Sequence, residues 1–304
     1  MSPRTRAWLE MHVCVVLWGF TAILGKLITL QALPLVWWRM TFVTAALLFV
    51  RPFWRGVASL STRSIAILAG TGVLLALHWV TFYAAVKLAN ASVAATCIAL
   101  TPVAIAFIDP WVGRRPFDFR ELWFGLAVLP GVVLVVGGTP TEMQAGILVG
   151  VASALFVALV SCLNKRFAAG ASALGVTGIE MAAGVVFLPL CVPLGAALLL
   201  SSEPLFVLPA AHDIGLLAAL AFGCTLLPFA LSLVALRELS AFDSALATNL
   251  EPVYTILLAI PIFGEQLELG VRFYAGAAIV LAVVFMHPFL GRSGLAAKSR
   301  QLAR

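Results

Sequence analysis

The sequence predicts an all-α membrane protein of ten transmembrane helices, built as two inverted five-helix repeats. Three observations predict it: long apolar blocks, basic residues confined to one side, and a self-similarity near 150 residues. Of the 304 residues, 62% are hydrophobic and 11% charged, with a mean hydropathy of +1.09. Soluble domains run at about half apolar and about a quarter charged. A water-soluble core cannot absorb that much apolar surface. A bilayer core of about 30 Å takes roughly 20 helical residues, and the apolar blocks have that length. The two-residue period of a membrane barrel does not fit them.

The predicted spans are 11–30, 34–50, 65–86, 91–112, 122–137, 145–163, 174–200, 214–236, 241–263 and 273–290. The fifth is the weakest, being short and carrying Pro130-Gly131, so a nine-span arrangement is the main competitor. The first block is full length and runs directly into further spans, which is not the pattern of a cleaved signal. Cys14, Cys97, Cys162, Cys191 and Cys224 fall one to a span, without CxxC or Cys/His spacing. They read as small packing residues, and no metal or cofactor is expected.

Charge sets the orientation. Arg4, Arg6, Arg51, Arg55, Arg63, Arg114, Arg115, Arg120, Lys165, Arg166, Arg237, Arg292, Lys298, Arg300 and Arg304 fall on one side, and only Lys87 and Arg272 on the other. The positive-inside rule then puts both termini in the cytoplasm of a bacterial-type inner membrane, with an even number of spans. The net charge of +6 is accounted for by topology, leaving a nucleic-acid partner nothing to explain. Loops and tails are too short for a soluble domain.

The halves repeat. Leu88-Ala-Asn-Ala-Ser and Thr101-Pro102-Val103 return as Leu239-Ser-Ala-Phe-Asp and Glu251-Pro252-Val253, and Lys87 falls over Arg237. Gly113 falls over Gly264, Gly125 over Gly276, Lys26 over Lys165, and Arg39-Met40 over Glu180-Met181. This divides the chain into a first unit, 1–139, a second, 140–291, and a tail, 292–304. An odd number of spans per unit inverts the second. Inverted repeats are a recurring design of secondary carriers, whose halves rock about a central site.

The run Glu251-Pro252-Val-Tyr-Thr-Ile-Leu-Leu-Ala-Ile-Pro-Ile-Phe-Gly264-Glu265, with Leu17-Trp18-Gly19 and Arg39, resembles the drug/metabolite transporter superfamily, and within it the EamA-type exporters. The resemblance covers nearly the whole chain. Gly113-Arg114-Arg115 departs from it, standing where that family usually has Gly-Glu, so the halves have specialised. The resemblance implies alternating access and export of amino acids or related metabolites.

Glu251 falls about ten residues into its span, near mid-membrane at 1.5 Å per residue, and its repeat counterpart Thr101 falls at the same depth. A charge there costs on the order of 3 kcal/mol on insertion scales, so it faces a cavity, a partner or both. Pro252 and Pro102 free backbone carbonyls one turn back, at Thr248 and Ile98. Ser244, Thr248, Glu251 and Thr255 make one polar stripe, with Asn249 and Tyr254 beside it. Trp18 lies on a small-residue stripe of the first span, and His78, Trp79 and Tyr83 lie on the third. An aromatic box with one carboxylate suits a flat or ammonium-bearing solute. The plainer alternatives are helix packing for the small-residue stripes and interface anchoring for the aromatics.

Arg39 and Glu180 have opposite charge at matching repeat positions. Inversion separates them by roughly 13 Å in a 30 Å core, so each is expected to find its own partner or to snorkel. Lys26 and Lys165 either snorkel or reach inward, which would suit sugar phosphates. The predicted mechanism is a carrier of small metabolites, monomeric or dimeric, with Glu251 and His78 as proton-coupling candidates. A membrane enzyme is disfavoured by the lack of HExxH, paired-aspartate or Ser/His/Asp motifs, and an ATP-driven pump by the lack of a Walker A sequence. Nucleobases, cofactors and sugar phosphates remain alternative substrates.

Overall fold

The computed structural model describes residues 2–113, 119–168, 170–193, 203–235, 238–239, 247–248, 250–283 and 285–286. The tail, Ser244, Asn249 and Arg237 lie outside them. Six helices suffice by length and composition to cross a bilayer: Pro3–Leu27, Thr62–Leu88, Ala91–Gly113, Thr141–Phe167, Ala173–Cys191 and Ala211–Ala235. Ala32–Leu48 with Arg51–Ala58 makes a bent seventh, and Leu126–Gly138, Glu251–Phe263 and Val271–Val283 are shorter apolar helices. Together they correspond to the ten predicted spans, in a ten-helix membrane protein. The fifth is a 20-residue helix that carries Pro130 within it.

In chain order the helices are α1 (Pro3–Leu27), α2 (Ala32–Leu48), α3 (Arg51–Ala58), α4 (Thr62–Leu88), α5 (Ala91–Ile98), α6 (Thr101–Gly113), α7 (Phe119–Gly138), α8 (Gln144–Phe167) and α9 (Ala173–Phe187). There follow α10 (Ala211–Ala218), a π-helical segment (Ala219–Leu226), α11 (Leu227–Ala235), α12 (Glu251–Phe263) and α13 (Val271–Val283). The first helix begins eight residues before the apolar block. Ser2 caps it by accepting from the Thr5 N–H at 3.2 Å, Pro3 suits the first turn, and Arg6 pairs with Glu10 at 2.8 Å. Ser61 and Asn90 cap α4 and α5 in the same way, accepting from Ser64 and Val93.

Hydropathy did not predict α3, which leaves α2 through a 90° bend. Its Phe53 and Gly56 pack on α9 while Arg51 and Arg55 stay exposed, so it is amphipathic and too charged to register as a span.

Small residues let the helices approach. A Cβ on Gly72 of α4 would lie 2.6 Å from the Glu180 Cα, and one on Gly150 of α8 would lie 2.8 Å from the Cys97 sulfur. Gly131 and Gly276 bring α7 and α13 together. Without a hydrophobic force between helices in lipid, such close contact holds the bundle. All five cysteines are free, and four are buried.

Candidate functional site

The fourth span loses its regular winding at Ala99–Leu100, between α5 and α6, although Ala91–Gly113 runs on as one span; in the ninth, α12 begins at Glu251. In each, proline is the second residue of the helical segment that follows, where its missing N–H costs little. Thr101 and Glu251 therefore occupy equivalent places, one residue before a proline.

The eighth span holds a further irregularity. Pro228 has no N–H, so the carbonyl four residues back, at Cys224, loses its helical donor. The backbone adopts π geometry over Ala219–Leu226, and the Thr225 hydroxyl donates to Leu220 O at 2.7 Å. Arg39 of α2 fills the gap: its Nη2 donates to Cys224 O at 3.4 Å and its Nε to Thr225 Oγ1 at 2.6 Å. Its Nη1 donates to the Tyr83 hydroxyl at 2.7 Å, and the guanidinium stacks 3.8 Å over the Trp79 ring. Arg39 is 1% exposed. Glu251 lies within electrostatic reach of both Arg39 and Tyr83.

This cluster brings together Trp79, Tyr83 and Glu251 of the sequence-derived set and adds Arg39 and Thr225, which that set lacked. Arg39 was noted for its repeat position, but its partners come from α4 in the same half and from the π-helical segment in the other. Pro228 was the available signal, since it exposes a carbonyl at a known position.

Trp18 and Tyr254 pack in a neighbouring cluster with Cys14 and Leu231. Close approach at Gly19 holds them there: a Cβ on Gly19 would lie 2.9 Å from the Tyr254 Cβ, and Thr255 Oγ1 donates to Gly19 O at 3.0 Å. Thr248 is half-buried, and the Thr101 hydroxyl is buried without a hydrogen-bond partner. His78 faces α8 instead. The Ser153 hydroxyl donates to His78 O at 2.9 Å, and His78 Nδ1 lies 2.8 Å from that same hydroxyl oxygen. With the hydroxyl hydrogen committed, Nδ1 is the ring nitrogen that carries one.

No ion pair joins Arg39 and Glu180 among the described residues. Arg39 has its own partners, as expected. Glu180 does not snorkel: it is fully buried, and neither carboxylate oxygen makes a geometrically good hydrogen bond among the described residues. The lysines do not simply snorkel. Lys26 pairs with Glu265 at 2.9 Å, and Lys165 with Asp109 at 3.4 Å. Glu265 also accepts from the N–H groups of Ala91 and Ser92, at 3.0 and 2.9 Å, and so caps α5 from across the bundle. Gly264, at φ +69°, makes the turn that aims it. A Gly-Glu pair is needed there because one residue reverses the chain and the next meets a helix N-terminus.

The described residues hold no cluster of three or more His, Cys, Asp or Glu side chains able to bind a metal. One crystal structure of another protein matches at 20% identity and a TM-score of 0.61, over 95% of this chain and 98% of that one, which shows a shared fold. No curated protein matches. The model of the EamA-like transporter family matches twice, over residues 8–137 and 144–287. With both halves covered by this family model, the chain belongs to the EamA-like transporter family of multi-pass small-molecule transporters.

Proposed function

We propose that the protein is a secondary carrier that exports amino acids or related metabolites by alternating access. The observation that carries this reading is a buried guanidinium, Arg39, and the carboxylate of Glu251 within electrostatic reach of one another, with Trp79 and Tyr83 on the guanidinium. A zwitterionic solute presents the complementary charges. Arg39 has five N–H donors and three are engaged, which leaves two for a substrate carboxylate. Glu251 receives the ammonium. Thr101, Thr248, Asn249, Trp18 and Tyr254 complete the proposed site from the fourth, ninth and first spans.

The halves 1–139 and 140–291 rock about this centre in the inner membrane, with both termini cytoplasmic. Sugar phosphates lose their support, because Lys26 and Lys165 are each tied to a carboxylate. His78, bonded to Ser153, serves helix packing.

Counterflow of radiolabelled amino acids into proteoliposomes preloaded with the unlabelled forms tests the reading. Accumulation by the wild type, lost in Glu251→Ala, is expected. Absence of counterflow for every amino acid, from folded protein, overturns the substrate class.

A further inference from the structure

Glu180 stands apart from the cluster around Arg39. It lies seven residues into α9, about 10 Å from the start of that helix, and is 0% exposed. Neither of its oxygens makes a geometrically good hydrogen bond among the described residues. Thr177, one turn earlier on the same face, is also fully buried, with an unbonded hydroxyl. Asn164, near the end of α8, is the polar side chain that acts on Glu180, and its Oδ1 is likewise unbonded. A buried carboxyl group thus has a neutral amide, and no cation, as the side chain acting on it.

The charged groups on the helices packed around α9 are all engaged or distant. Arg39 of α2 is held by Thr225 and Tyr83, and Arg51 and Arg55 of α3 are exposed. On α4, Arg63 is exposed, His78 is bonded to Ser153 and Lys87 donates to Ile28 O; on α8, Lys165 pairs with Asp109 and Arg166 donates to Val112 O. The segment of α11 facing α9 carries no charge. An ionised carboxylate in this position has only the Asn164 amide, and no cation, to offset its desolvation, whereas the neutral acid is tolerated.

We propose that Glu180 is the residue that carries the coupling proton, exchanging it directly with water that enters beside Asn164 from the predicted inner end of the bundle. In the step itself an O–H bond forms as a proton arrives from one aqueous phase and breaks as it leaves to the other. The proposal rests on the carrier reading. It completes it, because Glu251 is occupied by the substrate ammonium and a second carboxylate is needed for the proton. A packed route joins the two. Gly72 of α4 lies against the Glu180 backbone, and Trp79 and Tyr83 follow on the same face of α4, two and three turns on. Met40, next to Arg39, packs on Gly184, one turn from Glu180.

Two measurements on the full chain in lipid vesicles separate this proposal from the substrate reading. The first needs no substrate. The infrared carbonyl stretch of a protonated carboxylic acid is expected at neutral pH and is removed by Glu180→Gln; a band that is absent, or unchanged in the variant, overturns the proposal. Asn164→Leu is the second variant, for the case in which Glu180→Gln does not fold. It is expected to move the frequency of that band, and an unmoved band counts against the assignment.

The second measurement uses a pH gradient. With one proton per substrate, one pH unit sustains about tenfold accumulation. Glu180→Gln is expected to keep counterflow and lose that accumulation entirely. Gradient-driven accumulation that survives in the variant, or wild-type accumulation that follows a Na+ gradient at constant pH, rejects Glu180 as the proton carrier. Amino-acid counterflow decides the substrate class without reference to either result.

Discussion

Lys26 and Glu265 meet at 2.9 Å, 239 positions apart in sequence, where the turn after α12 reaches the N-terminus of α5. Glu265 is fully buried and accepts three bonds there, two from backbone and one from the lysine. Asn90, the α5 cap, adds a bond to Glu268 at 3.0 Å, so both ends of the Glu265–Leu267 turn are tied to the same helix start. Lys165 and Asp109 make the corresponding contact in the other half, but Lys165 is half-exposed.

Removing the buried partner should therefore matter far more than removing the exposed one. Glu265→Ala strands the Lys26 ammonium and two helix N–H groups, and is expected to cost about 3–5 kcal/mol. Lys165→Met is expected to cost about 1 kcal/mol at most. Thermal unfolding in detergent at fixed salt measures both, and equal losses would contradict the structure.

Arg39→Lys keeps the charge and loses the fork. Lysine cannot serve Thr225, Tyr83 and Cys224 O from one position while lying flat on Trp79. Each hydrogen bond to a charged group contributes roughly 1.5–3 kcal/mol, so transport is expected to fall about ten- to a hundredfold. Tyr83→Phe, which removes one of the bonds, is expected to fall less. Counterflow rates at saturating protein-to-lipid ratio give the comparison.

Two glycines on α4 make a matched pair. Gly72 has the Glu180 backbone against it, whereas Gly70 has nothing within 4 Å. Gly72→Ala is expected to push α4 from α9 at a cost of about 1–3 kcal/mol. Gly70→Ala is expected to be neutral or to stabilise by up to about 1 kcal/mol, from helix propensity alone. Melting temperatures of the two variants, measured side by side, should move apart.

Ser153→Ala removes both bonds between the hydroxyl and His78. The expected result is a loss of about 1–3 kcal/mol in stability, with the substrate concentration for half-maximal counterflow unchanged. A shift in that concentration with stability intact would instead put His78 at the substrate.

The spans were legible in the sequence because hydropathy and charge sidedness act over 20 residues at a time and survive local error. Glu251 and Thr101 were legible for a related reason, since proline at the second position of a helical segment leaves a mark at known spacing. The surroundings of Arg39 were not. Its partners lie on α4 and the π-helical segment, and no local pattern states which helices touch. The role of Glu265 was half legible: the Gly-Glu turn was recognised, but the α5 N-terminus it caps lies 174 residues earlier. Ser244 falls outside the described residues, as does Asn249 beside it, so the polar stripe is seen only at Thr248, Glu251 and Thr255.

The π-helical segment at Ala219–Leu226 behaves as a helix with one residue to spare. In terms of insertion and deletion, losing one residue there restores ordinary α-helical winding without breaking the span. A π turn holds one residue more than an α turn, so the restored helix keeps the facing of its two ends. Asp213, which accepts from the Thr29 N–H at 3.0 Å and from its hydroxyl at 2.5 Å, lies before the segment; Pro228 O, which accepts from the Cys14 thiol at 3.2 Å, lies after it. Both contacts are to α1 or its trailing loop, and a single-residue deletion is expected to spare them while taking from Arg39 the Cys224 and Thr225 oxygens that the wide turn presents. The extra residue thus costs the span nothing at its ends and gives Arg39 its acceptors.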